Sequence, residues 1–331
     1  MTQPAAEHEL LLRIEELVGP ALLECESVFE RELSHPSPFV TDLLSHITRF
    51  RGKRLRPILV LLSALAAGEI RSAHTVIAAV VEMIHTATLV HDDVLDDAEI
   101  RRHVATVNTR WNVETSVLLG DFLFTHAFHL AASLDSTVAC RLIGASTNRV
   151  CVGELTQIRQ RGNFDLSEAE YFRIIDGKTA ELCAVCGELG ASYTDDVAPG
   201  VPEALREYGR SLGMSFQIAD DLLDLTGEET ETGKTLGSDL EKQKLTLPLI
   251  HYLATCPERQ RDTLVRSLQE DGGKSRESLN RQLRESDSLE YSRWKAEEFA
   301  QQARRYLESI KDSPARQLLE DLTYFAVRRE F

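Results

Sequence analysis

Two acidic clusters of one form stand out in the chain. They are His91-Asp92-Asp93-Val94-Leu95-Asp96-Asp97 and Asp220-Asp221-Leu222-Leu223-Asp224, and each contains D-D-x-x-D. On a helix, side chains four apart project from one face, about one turn apart. Asp92 and Asp96 therefore point together, with Asp93 beside them, and Asp220 and Asp224 do the same. Like charges at that spacing cost roughly 0.2–0.5 kcal/mol per pair. The clusters also sit in apolar surroundings: Leu89, Val90, Val94 and Leu95 around the first, and Phe216, Ile218, Ala219, Leu222, Leu223 and Leu225 around the second. Carboxylates in such a setting are costly to bury unless paired or metal-bound. A solvated acidic face would account for one such motif; two of them point to a supplied cation. Oxygen-only ligand sets suit Mg²⁺, which keeps several waters and takes its remaining ligands from substrate phosphates.

Three basic clusters fit a phosphate ligand. Gly52-Lys53-Arg54-Leu55-Arg56-Pro57 places cations just before a helix, Arg101-Arg102 follows the first acidic motif, and Gly177-Lys178-Thr179 lies inside a helical run. Each alone reads as solvated charge. Together with two metal-type motifs they describe a site for two polyanions, one bridged by metal and one held by Arg and Lys. Gly233-Lys234-Thr235 has the ending of a phosphate-binding P-loop. The required earlier glycine is replaced by Glu228 and no strand precedes it, so that motif is rejected.

The elements that must position these groups are helical. The 3.6-residue period predicts helices over about 8–33, 38–50, 55–68, 73–97, 112–134, 136–161, 167–191, 201–224, 243–255, 260–270, 276–286, 289–310 and 314–328, and no alternating strand pattern is found. Residues 225–244 break the pattern, being polar and rich in Gly and Thr. They read either as a surface loop or as a lid that brings Lys234 and Lys244 over the metal site. No break is long enough for a linker, so the 331 residues read as one domain, with 1–8 a flexible terminus. Both acidic motifs lie near the C-terminal ends of long helices, as if two helices face each other across one cavity.

Composition narrows the class. With 43% apolar residues and a net charge of −16, from 53 acidic and 37 basic residues, neither nucleic acid nor a broad anionic membrane surface is an expected partner. The six cysteines lack a disulfide spacing, Cys183-Ala184-Val185-Cys186 reads as small buried helix residues, and a reducing cytosol fits. The apolar run Ile58–Ala67 is too short to span a bilayer, so a soluble cytoplasmic protein is expected.

With these residues in view the chain resembles the polyprenyl synthetase family of trans-isoprenyl diphosphate synthases, over roughly residues 30–328. The resemblance rests on G-K-R-x-R-P at 52–57, E-x-x-H at Glu82–His85, both D-D-x-x-D motifs, R-R at 101–102 and L-L-G-D at Leu118–Asp121. It rests further on G-K-T at 177–179, F-Q-x-x-D-D at Phe216–Asp221, and G-K-x-x-G-x-D-L with a later K-x-T-L-P ending at Pro248. It implies an all-α bundle of antiparallel helices around a deep central cavity, usually a homodimer. It implies a trans (head-to-tail) condensation of isopentenyl diphosphate with an allylic diphosphate, with Mg²⁺ as cofactor, about three ions per site once substrate is bound. Carried over by residue, it assigns Asp92, Asp93, Asp96, Asp220, Asp221 and, more weakly, Asp224 to the metals. Arg101, Lys178, Gln217 and Lys234 go to the allylic diphosphate, Lys53, Arg56, His85 and Arg102 to isopentenyl diphosphate, and Thr179 to substrate binding. Lys244 is assigned to the closing loop. The family usually has Gly after the Arg pair, where this chain has His103.

In this family, bulk four and five residues before the first aspartate shortens the product. Those positions are the small Thr88 and Ala87, and the surrounding stretch looks most like the long-chain branch. A product of about thirty to fifty carbons, able to partition into membrane, is the expectation, with Phe124, Phe128 and His129 as a candidate floor of the shaft, Phe124 and Phe128 reading equally well as plain core. A short-chain geranylgeranyl or farnesyl synthase is the alternative. A class I terpene cyclase would lack the symmetric second motif and the isopentenyl-binding set. A non-catalytic subunit of a heteromeric synthase would have lost aspartates or basic residues that are all present here. A purely structural metal-binding helical protein would leave the basic set unexplained.

Overall fold

The helical periodicity carries through to the backbone. The computed structural model describes residues 3–50, 52–226, 238–271 and 276–327. Its helices are α1 (Gln3–Glu32), α2 (Pro38–Ile47), α3 (Leu55–Ala67), α4 (Ser72–Leu95), α5 (Val107–Arg110), α6 (Val113–Ala132), α7 (Val138–Arg159), α8 (Glu168–Ile175), α9 (Glu181–Ser192) and α10 (Val201–Thr226). They continue as α11 (Ser238–Glu241), α12 (Leu247–Thr255), α13 (Glu258–Asp271), α14 (Arg276–Glu285), α15 (Ser288–Leu307) and α16 (Pro314–Val327). Pro4 sits in the first turn of α1, where a missing N–H costs nothing, and helix occupies most of the stretch read as a flexible terminus.

Two apolar clusters form the interior. The larger joins α1–α7, α9, the first half of α10, the end of α15 and α16; the smaller joins α8, the second half of α10, α11–α14 and the first half of α15. Helix α10 serves both, so its C-terminal acidic motif is held from two sides. Helix α4 is the one described helix long and apolar enough to cross a bilayer, but most of it is buried within the bundle. Cys183 and Cys186 are buried on α9, as their spacing suggested.

Two local features depart from the periodic reading. Residues Ile100–Arg101 and Val104–Ala105 pair antiparallel as strands β1 and β2. The turn between them has φ of 50° at Arg102 and 63° at His103, the pattern of a tight two-residue hairpin turn. Two residues per strand are too few for any alternation to register. His103 therefore occupies a left-handed position that the family's usual Gly would take freely; His is among the residues that tolerate it. The second departure is in the helix read over 167–191. The structure splits it into α8, a π-turn at Asp176–Ala180, and α9. An extra residue in one turn leaves the apolar period almost unchanged, so periodicity cannot reveal it.

Two buried histidines are locked in the neutral form. The Arg71 backbone N–H donates to His74 Nδ1 (2.8 Å), so Nε2 carries the proton and donates to the Gly190 carbonyl (2.9 Å). His46 accepts from Arg110 at Nδ1 (2.9 Å) and donates from Nε2 to the Ala105 carbonyl (2.7 Å). Burial lowers both pKa values below the ordinary 6.5, against the pull of those carbonyls. The unfolded chain then binds more protons than the native one as pH falls. The stability these groups confer is full above about 6.5 and is lost as pH drops through that value toward the depressed native ones. His74→Gln should lower the thermal midpoint at pH 8 and give a smaller further loss between pH 7 and pH 5 than the wild type; identical pH slopes in melting curves would refute this.

Candidate active site

The first acidic motif is the last turn of α4. The helix ends with Asp97 in the left-handed region (φ 45°), the Ala98 N–H donating to Asp93 O (2.9 Å) and the Asp97 N–H to Val94 O (3.3 Å). These are the bonds of a Schellman motif. The chain then turns through the β1–β2 hairpin, which returns Arg101 over the motif. Arg101 Nε and Nη2 both lie 2.8 Å from Asp93 Oδ1. Asp93 is buried, and its Oδ2 has no hydrogen-bond partner. Burial raises its pKa, with Arg101 opposing and Asp92 and Asp96 adding to the rise.

Asp96 collects cations from distant segments. Lys244 Nζ is 2.8 and 3.0 Å from its two oxygens, Arg161 Nη2 3.2 Å and Lys242 Nζ 3.5 Å from Oδ1. Against the effect of burial, Lys244 above all, then Lys242 and Lys178, hold its pKa below the ordinary carboxylate value. The Gln243 carbonyl accepts from the Gly162 N–H (2.9 Å), which ties the Lys244 segment to the end of α7.

The second motif ends α10. Asp221 accepts from the buried Tyr171 hydroxyl and from Gln217 Nε2, both at 2.7 Å, and Gln217 Oε1 accepts from Thr179 Oγ1 at 2.6 Å. Burial, with the charge of Asp239 next, pushes the Asp221 carboxyl up to about 8 despite those bonds. Asp239, just before Lys244, donates its N–H to Asp224 Oδ2 (3.4 Å). Its own pKa is raised, first by burial and then by the charges of Asp96 and Asp220, against Lys244 and Lys178. Asp239 thus meets the second motif at Asp224 and lies 3.9 Å from the Lys244 ammonium, which is bonded to Asp96 of the first, so the two helix ends face one cluster.

Lys178 enters from the π-turn. Its ammonium lies 2.8 Å from Glu154 Oε1 and 3.0 Å from Gln157 Oε1, both on α7. Burial works against its charge, but Asp92, Glu154 and Asp96 outweigh that and raise its pKa. The close approach of α7 to the turn requires glycine: a Cβ on Gly153 would stand 2.6 Å from the Lys178 backbone nitrogen.

A second basic group gathers at the start of α3. Arg54 adopts φ 54° and pairs with Glu82 of α4, fastening the 52–57 segment one turn from His85. Arg56 has a buried Nε without a partner. Arg102 donates to the Phe50 carbonyl and lies against Gly52, where a Cβ would fall 2.5 Å from its terminal nitrogens. Burial first, then Arg56, Arg102, Arg101 and Arg54, push the His85 pKa well below 6.5, so His85 faces this group as a neutral ring. Lys53 stands apart: its ammonium pairs with Glu7 of α1 and lies 4.9 Å over the Phe325 ring.

The remaining sequence-predicted positions sort as follows. Ala87 is fully buried in the larger core, and Thr88 bonds its own helix at the His85 carbonyl (2.7 Å). Phe124 lies 5.8 Å from the His91 ring, Phe128 borders Gly144 of α7, and both pack on the margin of the larger core. His129 is exposed, beside the His126 that pairs with Glu32 of α1, and so is no part of an enclosed floor. Lys234 lies outside the described residues. Glu154, Gln157, Arg161, Tyr171 and Lys242 were not anticipated from the sequence, and Asp239 appeared there only within the G-K-x-x-G-x-D-L motif, without a role. Glu154 and Gln157, polar at i and i+3 beside Gly153, carried a further legible signal.

The donor set fits a hard divalent cation: an orphaned buried oxygen on Asp93, a raised carboxyl on Asp221, and oxygen ligands throughout. Among the described residues no three acidic, His or Cys side chains are arranged to hold an ion by themselves. That suits an ion completed by water and substrate phosphates.

Residues 37–285 match the polyprenyl synthetase family. The chain belongs to that family. It is 35% identical over 324 residues to octaprenyl diphosphate synthase of Escherichia coli, covering 97% of this chain and 99% of that one. It is 37% identical over 298 residues to an all-trans-nonaprenyl-diphosphate synthase (geranyl-diphosphate specific) of Rhodobacter capsulatus, covering 90% and 91%. Its fold is similar to a crystal structure of a polyprenyl synthase from Caulobacter crescentus complexed with calcium and isoprenyl diphosphate, with TM-score 0.91, 33% identity, and 96% and 98% of the two chains covered. As a member of the polyprenyl synthetase family the chain is a trans-prenyl diphosphate synthase, a prenyltransferase acting on isoprenyl diphosphates with a divalent metal.

Gly153→Ala tests how Lys178 is placed. The added methyl must push α7 and the π-turn apart, a crowding that costs about 1–3 kcal/mol. A lowered thermal midpoint with a fall in kcat/KM is expected; an unchanged protein would show that the contact is dispensable.

Proposed function

We propose that the protein condenses isopentenyl diphosphate with an allylic diphosphate repeatedly, using Mg²⁺, to a polyprenyl diphosphate of about thirty to fifty carbons, the whole chain working as one domain. One observation carries the reading: Lys244 reaches Asp96 across 148 residues of sequence, and neighbouring Asp239 senses both acidic motifs. Cations and carboxylates from both helix ends thus meet where an allylic diphosphate would be bridged.

When bound, the metal neutralises charge that develops on the leaving diphosphate. Asp92, Asp93, Asp96, Asp220, Asp221 and, more weakly, Asp224 would hold it. Lys178, Arg101, Thr179, Gln217 and Lys234 orient the allylic diphosphate. The C–O bond breaks with its electron pair going to diphosphate, and preorganised cations beside that oxygen stabilise the departing charge. Arg56, Arg102 and the neutral His85 hold isopentenyl diphosphate. Lys53 joins them only by leaving Glu7, which a flexible four-carbon stem permits. The alkene electrons form the new C–C bond, and the departed diphosphate takes the released proton. Lys244 moves from Asp96 to substrate as the site closes.

The long product is supported by the small residues Ala87 and Thr88 and by relatives named for long products. A homodimer is supported by exposed apolar side chains on adjoining helices: Val113, Val117 and Leu118 of α6, and Val152 and Leu155 of α7. Large apolar side chains exposed in this way suit a surface covered by a second copy.

Incubation with Mg²⁺, labelled isopentenyl diphosphate and each allylic starter, followed by sizing of the products, tests the reading. Chelation, Asp92→Ala or Asp220→Ala should reduce turnover by orders of magnitude, and Ala87→Phe should shorten the product. Full activity in excess chelator would sink the proposal, and a wild-type product of twenty carbons or fewer would sink its chain-length part.

A further inference from the structure

The π-turn that carries Lys178 is bracketed by two carboxylates, Asp176 before it and Glu181 after it. The Glu181 N–H donates to the Asp176 carbonyl, closing the wide turn. Isolated π-turns are rare and occur mostly where function needs them. Something outside the turn must therefore hold it against reversion to a regular helix.

The holding groups come from α10. Arg210 Nη1 lies 2.6 and 2.9 Å from the two oxygens of Asp176, and Nη2 lies 3.1 Å from Glu181 Oε2. One guanidinium thus bridges the side chains of the same two residues whose backbones close the turn. Glu181 is buried, and its charge is further matched by Arg149 of α7 at 3.1 Å and Arg206 of α10 at 2.7 Å. Arg206 also pairs with Glu188 (2.5 Å), but its contacts do not include Asp176. Of the three arginines, Arg210 is therefore the one that spans the turn.

We propose that Arg210, with Asp176 and Glu181, is a positioning clamp that holds the π-turn and so aims Lys178 at the allylic diphosphate. A planar fork with fixed donors can bridge two carboxylates at once, whereas a lysine offers a single point charge. The clamp also runs along α10, the helix that ends in the second acidic motif, and so couples the placing of Lys178 to that of Asp220 and Asp221. The proposal rests on the reading of Lys178 as an allylic-diphosphate ligand.

The test compares Asp176→Asn, Arg210→Lys and Arg206→Gln with Lys178→Ala in the full-length enzyme. Steady-state kinetics with each substrate varied would be combined with hydrogen exchange at the amides of residues 177–181. Asp176 is partly exposed, so Asp176→Asn should fold even if an arginine variant does not. Asp176→Asn and Arg210→Lys should lower kcat/KM for the allylic substrate by about ten- to a hundredfold, as misplacement of a binding group by about 1 Å does. They should leave KM for isopentenyl diphosphate unchanged and speed exchange within the turn. Arg206→Gln should lower the melting temperature without this kinetic signature. If Lys178→Ala impairs the allylic substrate while both clamp variants keep wild-type kinetics and exchange, the clamp is refuted and the site reading stands. If Lys178→Ala leaves the allylic parameters unchanged, the site reading itself falls, and the clamp's role with it.

Discussion

Two helices end in clustered carboxylates, at the end where the helix dipole is already negative. Each such placement costs about 0.3–1 kcal/mol before any mutual repulsion is counted. Burial adds to that cost for Asp93 and Asp221. Much of the site can be understood as a response. Arg101 is folded back by a two-residue hairpin onto Asp93, and Lys244, Lys242 and Arg161 converge on Asp96. Tyr171 and Gln217 occupy both oxygens of Asp221.

The local backbone bears the marks of this arrangement. Among the described residues six non-glycine positions have positive φ, at Arg54, Asp97, Arg102, His103, Asp196 and Gln243. All but Asp196 adjoin segments that deliver site residues: Arg56, the first acidic motif, the Arg101-Arg102 pair and Lys244. The π-turn at Lys178 belongs with them. Left-handed residues and wide turns cost energy that regular packing must offset, and they gather where side chains must be aimed in directions a regular helix cannot provide. The long, well-packed α4, α9 and α10 supply that support, with α10 anchored in both apolar clusters.

The two charged clusters differ in how they manage charge. Around Asp96 and Lys178 opposite charges are interleaved, and their neighbours favour the ionised forms of these two, while burial raises the pKa values of Glu154 and Asp239 beside them. Around Arg56, Arg102 and His85, cations face a ring that burial and their own fields keep neutral. Arg56 keeps a buried N–H without a partner. A metal-bridged substrate suits the first setting, and a bare diphosphate suits the second, where the ligand itself supplies the missing negative charge.

The family and the helical architecture were legible in the sequence alone, and so were most members of the candidate site as proposed. Helical period, paired acidic motifs and short basic clusters are local signals, each written in contiguous residues. What tertiary structure alone decided is non-local or nearly invisible to periodicity. The π-turn shifts the register by one residue within a run that remains apolar at helical spacing. The β1–β2 hairpin is too short to alternate, though its left-handed turn is what swings Arg101 back over Asp93. Glu154, Arg161, Tyr171 and Asp239 join the site through contacts spanning from 15 to 65 residues. Lys53, which the motif groups with Arg56, turns outward to Glu7, because neighbours in a turning chain need not face the same way. Sequence determined which charges are present and on which helices they ride; only the packing of α4, α7 and α10 decided which of them meet, since a single charge carries no record of the partner that will neutralise it.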